Sequence, residues 1–69
     1  MQHIIKTSGN RAIEVKAMAN DQLVLLAVCE RDNKGYMIKI EVLELLDFDT
    51  CQKLIFALTE TAQRIKAAA

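Results

Sequence analysis

The chain has 69 residues, with nine basic and nine acidic side chains, a formal net charge of zero and a hydrophobic content of 52%. That length admits one domain, residues 1–69, whose lone core buries only about 60% of the unfolded surface and so wants a staple or a partner. The even charge argues against a general nucleic-acid binder, whose phosphate contacts usually bring a basic excess, and it removes the self-repulsion that discourages association.

The N-terminal residues Met1-Gln2-His3-Ile4-Ile5-Lys6 lack the apolar core and the small-residue cleavage site of an export signal. No apolar run approaches the roughly 20 residues of a membrane span, so a cytoplasmic protein without membrane contact is expected. His3 to Thr7 is a short β-branched segment, predicted as an edge strand, and Ser8-Gly9-Asn10 is a turn.

Two further turn signals organise the middle of the chain. Asn20-Asp21 suits a two-residue hairpin loop of the I′ type, because both residues tolerate positive φ. Asn33-Lys34-Gly35 fits a type I turn closed by a left-handed residue. The first loop pairs Ala17 with Val24, Val15 with Leu26 and Ile13 with Val28; the second pairs Asp32 with Tyr36, and hence Val28 with Ile40 and Leu26 with Val42. One sheet face then reads Ile13, Val15, Ala17, Val24, Leu26, Val28, Ile38, Ile40 and Val42, which is unbroken and apolar. An even second loop would put Lys39 and Glu41 among them.

Between Leu43 and Phe48 the period is lost. Asp49 then makes an N-cap with Gln52 three positions on, while Asp47 or Thr50 serves if the boundary shifts. Cys51, Leu54, Ile55, Leu58, Ala62 and Ile65 fall on one helical stripe, predicted to cover the first sheet face. Residues 67–69, Ala-Ala-Ala, are a frayed end or an appended tail. The fold expected is α+β: a three- or four-stranded antiparallel meander over 3–46, with one C-terminal helix over 49–66 packed on one face, in the order ββββα.

Cys29 and Cys51 each sit in an apolar run, which predicts buried, reduced thiols. His3 is the only histidine and the cysteines are far apart, so neither a metal nor any other cofactor is expected.

The opposite face carries Glu14, Lys16 and Met18, then Leu23, Leu25, Ala27 and Cys29, then Met37, Lys39, Glu41 and Leu43. A strand solvated on one side alternates, whereas Leu23-Val24-Leu25-Leu26-Ala27-Val28-Cys29 is apolar throughout, as in strands buried on both sides. A second copy is the simplest cover, since isologous dimers are the commonest oligomers. Self-association is therefore assigned to Met18, Leu23, Leu25, Ala27, Met37 and Leu43. Phe56 lies off the helix stripe among Gln52, Glu60 and Gln63, as an aromatic anchor for a larger protein would.

No nucleophile stands beside a base in the sequence pattern, and the two glycines are isolated in turns, so no enzyme is expected. Glu14 and Glu41 share a face but read as interface rim or as partners of Lys16 and Lys39. The leading reading is a non-catalytic protein-interaction module, a homodimeric regulatory or inhibitory adaptor of the sort carried by phages and mobile elements. The alternative is a single-stranded nucleic-acid binder, with Arg11, Lys16, Arg31 and Lys39 contacting phosphates and Tyr36 stacking.

The segment Tyr36 to Leu58, a strand followed by Leu46-Asp47-Phe48-Asp49 and a helix carrying Leu54 and Leu58, resembles in layout the small single-stranded-DNA-binding transcriptional coactivators of the positive-cofactor-four type. That resemblance implies a dimer that binds DNA with a curved sheet. It is one of element order rather than of motif.

Overall fold

The computed structural model describes residues 2–20 and 22–68. Strands β1 (Gln2–Lys6), β2 (Arg11–Met18), β3 (Leu23–Arg31) and β4 (Met37–Leu46) form one antiparallel meander in chain order, followed by helix α1 (Phe48–Ala68). The predicted ββββα architecture is the one observed, with β1 as a full edge strand.

Each turn follows from its residues. Gly9 at φ 65° closes the first, where the Arg11 N–H donates to Ser8 O. In the second, the Gln22 N–H donates to Ala19 O and both Ala19 and Asn20 have positive φ; Asp21 lies outside the described residues. The pairings Ala17 with Val24, Val15 with Leu26 and Ile13 with Val28 are those the two-residue loop demands. In the third, Asp32 Oδ1 accepts from the N–H groups of Lys34 and Tyr36, while Gly35 takes φ 88°.

Beyond that turn the register of β4 departs from expectation. Asp32 does face Tyr36, and Arg31 pairs with Met37. Two irregularities then follow, between Glu30 and Arg31 and between Val28 and Cys29, each adding one residue to β4. Val28 consequently meets Val42 rather than Ile40, and Leu26 meets Glu44 rather than Val42. Ile40 is displaced to a position opposite Cys29, on the second face. Leu43 and Leu45 follow it there, opposite Ala27 and Leu25, while Leu46 returns to the first face opposite Val24.

The helix begins one turn-position early. Asp47, not Asp49, is its cap: Asp47 Oδ1 accepts from the Thr50 N–H at 2.8 Å, and this bond holds the Asp47 carboxyl below its ordinary range. Asp49 instead pairs with Lys53 one turn on, at 3.0 Å. The helix runs on through Ala67 and Ala68.

The helix packs on one face of the sheet, as expected, but covers only part of it. The stripe points to the first face, but α1 touches only β3 and β4, and none of its residues is buried. Four strands spaced about 4.8 Å apart present a face close to 20 Å wide, whereas one helix covers about 10 Å. The half of the first face formed by β1 and β2 is left uncovered.

The chain is correspondingly open. Its accessible surface is 5796 Å², against about 4,400 Å² for a compact monomer of this mass. Its radius of gyration is 13.8 Å, against about 11 Å for a compact domain of this length.

Candidate self-association surface

An apolar groove of about 490 Å³ lies between the helix and the first sheet face. Ile5, Ile13, Val15, Val24, Leu26 and Val28 form its floor. Leu46 and the helix residues Cys51, Leu54, Ile55 and Leu58 form its wall. Alternation puts the floor residues on one side of β1, β2 and β3, and the 3.6-residue period brings the wall residues onto one flank of α1. Not one of these side chains is charged or a strong hydrogen-bonding group, so water in the groove finds no good partner. Ile5, Ile55 and Leu58 each leave more than half of their surface exposed. Beyond the groove Ile65 continues the stripe and is 68% exposed.

This is the site that reading the sequence missed. The stripe and the face are both legible in the sequence, but pairing them does not close the core. Comparing the width of the sheet with the diameter of one helix was the available signal.

The second face is differently built from the expectation. Ala27 and Cys29 are buried within the single chain, and so is Glu14, at 6% exposure. The Glu14 carboxylate accepts from Gln2 Nε2 at 3.0 Å and from Cys29 Sγ at 2.9 Å, and it pairs with Arg31 Nη2 at 2.7 Å. Arg31 also donates through Nη1 to Gly35 O. The Cys29 thiol and then the Arg31 guanidinium hold the Glu14 carboxyl below its usual range, against the opposing effect of burial. The same carboxylate, together with burial, pushes the Cys29 thiol up. Glu14 is therefore neither a rim charge nor a partner of Lys16 or Lys39. Cys29 is a free buried cysteine, and Cys51 is half-buried in the groove wall.

The six residues assigned to self-association do share this face, but they do not form one compact patch. Met18 and Leu23 pair at one end of β3, and Met37 pairs with Arg31 at the other, about 27 Å away along the strand. Ala27 is 3% exposed and offers little surface to a partner. Leu25 is half-buried, and Leu43 is exposed beside Leu45 and Ile40.

The basic residues of the nucleic-acid alternative are partly engaged. Arg31 is held by Glu14, and Arg11 pairs with Glu41 at 2.6 Å. Both arginines line a cleft of about 130 Å³ between the turns at 8–10 and 32–35. Lys16, Lys39 and Tyr36 are exposed. Phe56 stands out from the helix at 69% exposure. Among the described residues no helix is long and apolar enough to cross a membrane. No protein family, curated protein or solved structure matches the chain.

Proposed function

We propose that the chain is a small non-catalytic interaction module that works as a homodimer, a regulatory or inhibitory adaptor whose remaining surface engages a larger protein. The observation that carries this reading is the excess of accessible surface, about 1,400 Å² over a compact monomer of the same mass. A standard interface takes about 800 Å² from each partner, and obligate dimers take more. The excess is apolar in kind, since Ile5, Ile55, Leu58 and Ile65 are among the exposed side chains.

The polar groups fit an interaction role better than a chemical one. Glu14, the one buried acid among the described residues, is consumed by Arg31, Cys29 and Gln2. His3 lies on the exposed edge strand and Ser8 in a turn, with no base positioned beside a nucleophile among the described residues. Among the basic residues, Arg11 and Arg31 already have carboxylate partners, which lowers their value to a phosphate.

Light scattering on the dilute purified protein tests the reading. A mass of two chains that persists to low micromolar concentration is expected. A well-folded single-chain mass would overturn it, and so would salt-sensitive retention on single-stranded DNA with no protein partner recovered.

A further inference from the structure

The vacancy in the first face has a definite size and place. It lies over β1 and β2, is about 10 Å wide, and has the floor Ile5, Ile13 and Val15. What fits a strip of that width and chemistry is an amphipathic helix with an aliphatic stripe. The described residues hold one helix, and its stripe is under-used: Ile55, Leu58 and Ile65 are all more than half exposed. With 21 residues it is about 31 Å long and outruns its contacts with its own sheet, which lie in its first three turns.

We infer that the groove of each copy is completed by the helix of a second copy, so that the two helices exchange cover over the β1–β2 halves of the two sheets. This inference rests on the homodimer reading and adds to it the face used. Area decides between this face and the alternatives. Pairing two copies along the free β4 edge would bury a row of backbone groups and one line of side chains, well short of the surplus of about 1,400 Å². The second face has its central residues Ala27 and Cys29 already buried and an ion pair set into it. Only the first face offers an uncharged groove floor, from Ile5 on β1 to Val28 on β3, together with a matching stripe on the same chain, which is what an isologous contact requires.

Ile65→Glu is the discriminating variant, because Ile65 is outside the groove of its own chain and mostly in solvent there. The mass should fall from two chains to one at low micromolar concentration, while circular dichroism keeps the strand and helix signals. Leu43→Glu, on the second face, should leave the dimer intact. A dimer unchanged by Ile65→Glu, or one dissociated by Leu43→Glu instead, would overturn the inference while leaving the homodimer reading standing. A single-chain mass for the unaltered protein would overturn both. Should the glutamate variant precipitate, nuclear magnetic resonance on a half-labelled sample of the unaltered protein answers the same question. Intermolecular methyl contacts from Leu58 and Ile65 to Ile5, Ile13 or Val15 are expected; intermolecular contacts confined to Leu43 and Leu45 would sink it.

Discussion

Glu14 on β2 and Arg31 at the end of β3 meet with 2.7 Å between carboxylate oxygen and guanidinium nitrogen, and the acid is almost wholly buried. Cys29, one side-chain step along β3 from Arg31, donates its S–H to the same carboxylate. A charged residue of one inner strand thereby lies over small residues of the other, opposite Ala27 and bonded to Cys29.

That arrangement gives stability a pH dependence with a definite sign. The folded-state pKa of Glu14 is lowered, so its contribution is complete above the ordinary carboxylate range and is lost as pH falls through the lowered value. Glu14→Gln leaves Arg31 without its counter-charge and should cost on the order of 2 kcal/mol in urea unfolding at neutral pH. The variant should also lose part of the decline in stability expected on acidification below about pH 4. An unaltered acid limb would show that another group titrates there.

The two thiols should separate by reactivity. Cys29 is fully buried and its pKa is raised by the Glu14 carboxylate, whereas Cys51 is partly open. A disulfide reagent should modify Cys51 in the single-chain form left by Ile65→Glu, and reach Cys29 only at the rate of unfolding. The stability tied to the neutral Cys29 thiol is present below the ordinary thiol range and is lost as pH rises through the raised value. Equal modification rates would contradict the burial of Cys29.

Gly35→Ala tests the third turn. A Cβ there meets nothing within 4 Å, so the penalty comes from the backbone at φ 88° alone. A loss of about 1 kcal/mol is expected in chemical or thermal unfolding. A neutral substitution would mean that the turn relaxes to another form.

Cap position is decided by comparing two aspartates. Asp47→Ala removes the acceptor for the Thr50 N–H and should lower helix content and melting temperature more than Asp49→Ala, which removes only the exposed pair with Lys53. The reverse order would place the cap at Asp49.

Phe56→Ala should change stability by less than about 0.5 kcal/mol, because the ring stands in solvent. It should weaken recovery of the larger partner from a lysate. Undiminished recovery would return Phe56 to the ordinary exposed surface.

The register of β2 on β3 was legible because a two-residue turn and an apolar alternation had to agree, and a slip by one would have turned Ile13, Val15 and Val28 outward. The strand β4 was legible as an element but not in register. Its two extra residues fall where Ile38, Lys39, Ile40 and Glu41 keep alternating, so a bulge leaves no trace in the pattern. Helix capping was ambiguous between aspartates two residues apart, both with good local chemistry. The central strand was rightly read as apolar on both sides, yet the cover for Ala27 and Cys29 came from long polar side chains of the same sheet. Patterning counts Glu14 and Arg31 as surface, because it records residue type and not where a flexible chain folds back.

The paired irregularities of β4 carry an evolutionary consequence. Two added residues return Leu46 to the side it would occupy in an uninterrupted strand, and α1 departs two positions later. Insertions or deletions within 37–42 should therefore be tolerated in twos. A lone deletion turns Leu46 away from Val24 and launches the helix toward the wrong side of the sheet. Natural variants of this segment should differ in length by even steps.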